Sequence, residues 1–232
     1  KGGKMSDLDK RFQDAGLKVM NLIGFFAWAA PDDSERQKGF DEAKRAFEMA
    51  AQLHCPFVAA PPMGVNHTPG ADLLAVAERY GQLIDVGRPY GVTPLLEFWG
   101  AAKTLGKLGE AMFVAAECGR KEAIILADIF HMYIGSGRFE GLNLIGPKTI
   151  GLFHVNDYPT QPPRETIGDA DRVYCGDGVA PIRDIFQRLY DAGYRGALSL
   201  ELFNKTYWQQ DALTVARTGL EKLKACVAQI RL

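Results

Sequence analysis

Residues 123–130, AIILADIF, form a short and almost continuously apolar stretch that is interrupted only by an aspartate near its end. A strand that is apolar on both faces is typical of a parallel sheet covered by helices, because a sheet with one face in water alternates polar and apolar residues. Five further stretches of this kind occur along the chain, at residues 17–26, 56–60, 92–98, 149–155 and 197–203. The sequence therefore predicts six buried strands.

Longer amphipathic segments separate these stretches. Their apolar residues recur every three or four positions, which places each set on one face of a helix. The sets are Phe40, Ala43, Phe47 and Ala50; Leu73, Val76, Tyr80 and Leu83; Leu105, Leu108, Met112 and Ala115; and Leu213, Ala216, Leu220 and Leu223. The regular alternation of strand and helix predicts repeated β-α units around a parallel sheet.

Two α/β architectures fit six β-α units. One is an open doubly wound sheet, and the other is a TIM (β/α)₈-type barrel that lacks two of its units. A dinucleotide-binding open sheet would carry a glycine-rich fingerprint after a strand. The tight glycine runs at residues 135–137 and 176–178 do not have that spacing.

The charge balance of the chain bounds its partners. Its 232 residues include 27 basic and 28 acidic side chains, so the formal net charge is −1. No basic excess would attract nucleic acid or an anionic membrane, and we expect neither as a partner. The longest apolar stretch, residues 22–30, is far shorter than the roughly 20 residues of a membrane helix. The four cysteines lack C-x-x-C spacing, which predicts reduced thiols and a cytoplasmic location.

Polar side chains stand at the ends of four predicted strands. They occur in PLLEF, ILADIFH, GLFHVND and LSLELF, and they are Glu97, Asp128, His154 and Glu201. The carboxyl ends of barrel strands share one rim, where active sites lie. Taken singly, each residue could be a solvated rim residue or a helix cap. Together, three carboxylates would repel one another, and a divalent cation removes that cost. We expect one such ion, with manganese ahead of magnesium, cobalt or zinc.

Three segments resemble a known family. The segments ADIFHMY at residues 127–133, FHVND at residues 153–157, and residues 169–208 are similar to the xylose isomerase-like (AP endonuclease 2-like) barrels. These include ketose 3-epimerases, keto-inositol isomerases and related dehydratases, and the last segment is most similar to keto-inositol isomerases. The resemblance runs from about residue 17 to the C-terminus. It implies a TIM barrel, with the four strand-end residues as metal ligands.

The family has two strands before the first strand of this sequence. We therefore expect residues 1–232 to form a single barrel domain that is incomplete at its N-terminus. Further N-terminal residues, a partner chain or a homo-oligomer should then cover the open edge of the sheet.

The resemblance also implies roles for individual residues. Glu97 and Glu201 would act as catalytic acid and base, and His131 and Arg172 would orient the substrate. For His131 the alternative is support of a metal ligand, and for Arg172 it is a solvated loop position. We expect Trp28 and Trp99 to contact the substrate beside Phe203, Phe25 to pack in the core, and Asp157 to be either a partner of His154 or a turn residue.

The implied function is a metal-dependent isomerase or epimerase that acts on a small sugar or keto-inositol through an enediolate. A metal-dependent lyase or dehydratase is the main alternative, because elimination begins with the same proton abstraction. A DNA-repair endonuclease with three zinc ions would need more than the four histidines of this chain. A non-catalytic binding protein is disfavoured because all four implied ligands are present.

Overall fold

The computed structural model describes residues 3–231. Their internal contacts divide the chain into two compact units, Lys1–Leu126 and Ala127–Leu232. Each unit contains alternating strands and helices, as the sequence predicts. That one domain spans the chain stays a prediction.

The first unit begins with a helix that precedes the first strand. Its elements are α1 (Met5–Asp14), β1 (Leu22–Ile23), α2 (Asp33–Gln52), β2 (Phe57–Ala60), α3 (Leu73–Gly87), β3 (Thr93–Glu97), α4 (Leu108–Glu117) and the first half of β4 (Ile125–Asp128). These four strands lie side by side in chain order and are parallel. A 3₁₀ turn at Arg88–Tyr90 connects α3 to β3.

The core of the first unit follows the predicted helical faces of α2 and α3. Val76, Tyr80 and Leu83 of α3 are buried, as are Ala43 and Phe47 of α2. The hydroxyl oxygen of Tyr80 lies 2.9 Å from the carbonyl oxygens of both Pro94 and Ile124, and it accepts a hydrogen bond from the Ile124 N–H at 3.3 Å. This hydroxyl therefore joins α3 to the backbone of β3 and of the segment that leads into β4.

The second unit carries the remaining strands. Its elements are the end of β4, α5 (Ile129–Gly135), β5 (Ile150–Val155), α6 (Ile182–Asp191), β6 (Ala197–Leu200), α7 (Lys205–Trp208) and α8 (Ala212–Val227), with 3₁₀ turns at Glu140–Leu144 and Asp169–Asp171. Strands β5 and β6 are parallel, and His154 lies opposite Ser199. The Glu201 N–H, just past β6, continues this pairing by donating to Val155 O at 3.1 Å.

All six strands are shorter in the structure than predicted, with β1 reduced to two residues and β4 to four. Only Leu22 and Ile23 of residues 17–26 pair with β2, which is itself four residues long. Strand β4 ends at Asp128, because the Asp128 side chain accepts a hydrogen bond from the His131 N–H and so begins α5. An apolar stretch indicates a strand, but it does not show which of its residues pair with a neighbour or are buried.

The predicted apolar face of α8 is wrong except at Leu223. Leu213 and Leu220 are 56% and 52% exposed, whereas Gly219 and Leu223 are among the buried residues of the helix. A Cβ atom at Gly219 would lie 2.3 Å from Cδ2 of Leu200, so the absence of a side chain lets α8 approach β6 at this point. The spacing of leucines could not predict this face, because a glycine determines where the helix packs.

Asp157 organises the loop that follows β5. It is 1% exposed, and its backbone exchanges two hydrogen bonds of 2.9 Å with Val173. Its Oδ2 accepts from the N–H groups of Gly176 and Gly178 at 3.0 Å, and its Oδ1 accepts from the Ala180 N–H at 2.8 Å. The second glycine run of the sequence is therefore a loop held by one carboxylate, and Asp157 is a turn-forming residue.

No helix within residues 3–231 is long and apolar enough to cross a membrane.

The Asp157 carboxylate provides a test of this loop. Substitution Asp157→Asn replaces one acceptor oxygen by an NH₂ group, which would face backbone N–H groups whichever way the amide turned. Buried donors left without an acceptor cost about 1–3 kcal/mol, and we expect a loss of that size in the free energy of unfolding, measured by urea denaturation. Asp184→Asn, at an exposed helix position, should change it by less than about 0.5 kcal/mol. Equal stability of the two variants would contradict this account.

Candidate functional site

Three side chains of the second unit meet at the ends of its strands. Asp128 ends β4, His154 lies in β5, and Glu201 follows β6. Each offers one ligand atom, and these three atoms lie within 4.8 Å of one another. Among the described residues this is the one such cluster of histidine, cysteine or acidic groups.

The two oxygens of Asp128 have different partners. Oδ1 accepts from the His131 N–H at 2.8 Å, which fixes the start of α5. Oδ2 accepts from Nδ2 of Asn156 and from Nη1 of Arg172, both at 3.0 Å. Asp128 is 1% exposed, so its carboxylate is buried and these hydrogen bonds hold it in one orientation.

His154 and Glu201 lie in direct contact. Nδ1 of His154 is 3.3 Å from Oε2 of Glu201 and 3.9 Å from Oδ2 of Asp128. The same Oε2 of Glu201 accepts a hydrogen bond from Arg172 Nη1 at 2.9 Å. One nitrogen of Arg172 thus bridges the two carboxylates of the cluster.

The charges of the cluster support one another. Burial acts to raise the pKa of Asp128, but the charge of Arg172, the nearby imidazoles of His131 and His154 and the hydrogen bond from the His131 N–H together hold the pKa below its usual range. Burial also acts to raise the pKa of Glu201. The hydrogen bond to His154 and the charge of Arg172 oppose it, and the pKa is below its usual range. Burial would lower the pKa of Arg172, but the surrounding carboxylates raise it. Both cluster carboxylates are therefore ionised.

Arg172 is enclosed on every side. It is 1% exposed, and its guanidinium carbon lies 4.7 Å from the ring centre of Phe130 and 5.2 Å from that of Phe203. Its Nε and Nη2 donate to Oδ1 of Asp169 at 3.0 and 2.5 Å. The alternative of a solvated loop position is thereby wrong, and the substrate-orienting role stays a prediction.

His131 is half-buried on the first turn of α5. Burial lowers the pKa of its imidazole, and the nearby Asp128 carboxylate opposes this only in part. The ring is therefore neutral at neutral pH. Its backbone, through the hydrogen bond to Asp128, supports a predicted metal ligand, and its side-chain role stays a prediction.

Glu97 lies in the first unit at the end of β3, as predicted, and it is 4% exposed. Its Oε1 accepts from the indole N–H of Trp99 at 3.1 Å. Phe25 is 63% exposed, so its expected core position is wrong. The centre of its ring lies 6.2 Å from that of Trp99. Trp28 is fully buried and donates to Pro61 O at 2.7 Å. Ligation by Glu97 and substrate contact by the two tryptophans stay predictions.

Two residues of the site were not predicted from the sequence. Asn156, fully buried, donates to Asp128 from within FHVND, a segment that the family resemblance had already marked. Asp169 holds Arg172 from three positions earlier in the chain. The spacing of three residues between Asp169 and Arg172 was the available signal for this pair. Such spacing of an acidic and a basic residue is common on solvated surfaces.

The donor set suits a divalent cation. Two carboxylates and one imidazole are ligands that manganese, zinc and related ions accept, and buried carboxylates this close together gain from a cation. The hydrogen bonds of Asp128 and Glu201 keep each side chain in place, as metal ligands require. The residues therefore fit a metal centre.

Comparisons with known proteins show the family of the chain. The family model for the xylose isomerase-like TIM barrel matches residues 2–226. The inosose isomerase of Halalkalibacterium halodurans is 27% identical over 218 residues, which cover 93% of this chain and 77% of that protein.

Solved structures show the same fold. A crystal structure of the IOLI protein with a bound zinc atom aligns with a TM-score of 0.89 and 22% identity, over 99% of this chain and 83% of that one. An L-ribulose 3-epimerase aligns with a TM-score of 0.78 and 19% identity, over 97% and 80% of the two chains. The α/β barrel fold class predicted from the sequence is thereby confirmed. The chain belongs to the xylose isomerase-like TIM-barrel family.

Proposed function

We propose that this chain is a divalent-metal-dependent isomerase or epimerase that moves a proton within a small sugar or keto-inositol through an enediolate. The observation that carries the proposal is the convergence of Asp128, His154 and Glu201 at the strand ends. A curated relative of this chain is an inosose isomerase, which supports a cyclitol or sugar substrate.

The proposed metal ligands are Glu97, Asp128, His154 and Glu201. The zinc atom in the similar IOLI structure supports a divalent ion, and manganese, magnesium and cobalt suit the same oxygen-rich set. When bound, the ion would act as a Lewis acid that stabilises negative charge on substrate oxygens.

The side chains of the site would move the proton. Glu201 is ionised and 18% exposed, so it can accept a proton from the carbon next to a carbonyl group. Glu97 is the second proposed acid–base group, and the N–H of Trp99 holds its carboxylate. The neutral imidazole of His131 can donate to a substrate oxygen from one ring nitrogen.

The apolar surface near Glu97 would recognise the substrate. The exposed ring of Phe25 and the adjacent Trp99 can pack against the C–H face of a sugar. The net charge of −1 favours an uncharged ligand over nucleic acid or a membrane surface, and a cytoplasmic location belongs to the same proposal. A homo-oligomer or a partner chain at the sheet edge is also proposed.

Heavy water tests the reaction type. Incubation with manganese and either an inosose or a ketohexose in deuterium oxide should introduce deuterium at the carbon that loses its proton, as detected by mass spectrometry and NMR. An incubation without protein gives the background exchange. Release of water or of a substituent would indicate a dehydratase or lyase instead. Turnover with full retention of the substrate hydrogens in every product would contradict exchange through a solvent-accessible base.

Removal of metal tests the centre itself. Dialysis against a chelator should abolish turnover, and titration of the dialysed protein with Mn²⁺ should show one site by calorimetry and raise the thermal unfolding midpoint. His154→Ala should weaken the binding of Mn²⁺, whereas His54→Ala, at a side chain that is 77% exposed, should leave it unchanged. Full activity in chelator would show that no metal is needed.

Glu201→Gln separates proton transfer from metal binding. The amide cannot accept a proton, so turnover should fall by roughly 10²–10⁴-fold, while occupancy by Mn²⁺ changes far less. Glu165→Gln, at a side chain that is 73% exposed, is the matched control and should retain the parent rate. A Glu201→Gln protein that turned over at the parent rate with its metal bound would remove Glu201 from the mechanism.

A further inference from the structure

Arg172 divides its hydrogen bonds between two directions. Nη1 points inward and donates to Asp128 and Glu201, at 3.0 and 2.9 Å. Nε and Nη2 point outward and donate to Oδ1 of Asp169. The inner and outer carboxylates therefore share one guanidinium group through different nitrogen atoms.

Aromatic rings restrict how this group can move. Phe130 and Phe203 lie 4.7 and 5.2 Å from the guanidinium carbon, and Asn204 holds the Arg172 carbonyl oxygen with a hydrogen bond of 3.1 Å. Movement of the guanidinium group away from these rings would lose both contacts.

Asp169 is held on the outer side of Arg172 by its own turn. It begins the 3₁₀ turn Asp169–Asp171, in which the Arg172 N–H donates to Asp169 O at 3.2 Å. The side chain of Asp169 is 54% exposed, whereas that of Arg172 is 1% exposed. The carboxylate is thus a solvent-accessible anchor for a buried cation.

The charges of this group are unbalanced without a metal. Three carboxylates, those of Asp128, Glu201 and Asp169, surround one guanidinium group, which leaves two negative charges for a divalent cation to neutralise. If an uncharged residue replaced Asp169, the two inner carboxylates alone would share the charge of Arg172. It would then neutralise more of the negative charge that attracts a metal ion.

We propose that Asp169 is a positioning residue of the metal centre. It holds Nε and Nη2 of Arg172, so that Nη1 alone contacts Asp128 and Glu201, at one oxygen of each, and both carboxylates stay available to the ion. This inference rests on the proposed metal site. Groups that orient metal ligands from outside the coordination sphere typically change metal affinity by roughly 10–100-fold when they are mutated.

The test compares two carboxylates of the same turn. Asp169→Asn should weaken the binding of Mn²⁺ by roughly 10–100-fold, measured by calorimetry on metal-free protein. Asp171→Asn removes the same charge from the same turn, and its carboxylate accepts from the Gly168 N–H instead of holding Arg172. This control should bind Mn²⁺ within about twofold of the parent, a difference of less than about 0.5 kcal/mol. Asp169→Glu should recover most of the affinity by restoring the carboxylate.

The outcomes separate this inference from the proposed function. Equal affinities of the Asp169→Asn and Asp171→Asn variants, with the parent binding one ion, would overturn the role of Asp169 and leave the metal centre intact. A parent protein that binds no Mn²⁺, Zn²⁺, Co²⁺ or Mg²⁺ would overturn both. The thermal unfolding midpoints of the metal-free variants should match that of the metal-free parent. A much lower midpoint for Asp169→Asn alone would indicate a structural role and contradict the inference.

Discussion

The site of the second unit depends on one buried cation, the guanidinium group of Arg172. A buried carboxylate is costly, and two adjacent ones are more so, unless a positive charge compensates. Nη1 of Arg172 provides that charge to Asp128 and Glu201 at hydrogen-bond distance. The aromatic rings of Phe130 and Phe203 enclose the cation, so that it acts on the carboxylates rather than on solvent.

The backbone supplies the positions for this interaction. Asp128 and Glu201 stand where β4 and β6 end, and each end is fixed locally, by the cap of α5 in one case and by pairing with Val155 in the other. The loop that carries Arg172 is tied back to Asp157 through Val173 and the glycines that follow. The electrostatics of the site are thus built on short-range hydrogen bonds of neighbouring segments.

Much of the site could be predicted because a simple rule governs parallel strands: their carboxyl ends bear the functional groups. Glu97, Asp128, His154 and Glu201 satisfied that rule in the sequence, and the structure brings three of them together in one unit. Asn156 and Asp169 could not be found in this way, because their importance arises from contacts with other side chains. The positions of Phe25 and of Leu213 and Leu220 in α8 were mispredicted because hydrophobicity does not reveal which apolar face meets a neighbour.

The sequence by itself determined the α/β class, the number of strands and the polar residues near the strand ends, because these follow from local apolar patterns. The family resemblance added the barrel and the type of chemistry. Only the tertiary structure decided the length of β1, the buried face of α8 and the partners of Arg172. Pairing, close approach at a glycine and the sharing of one cation among three carboxylates are relations between distant residues, and no single segment of the chain contains them.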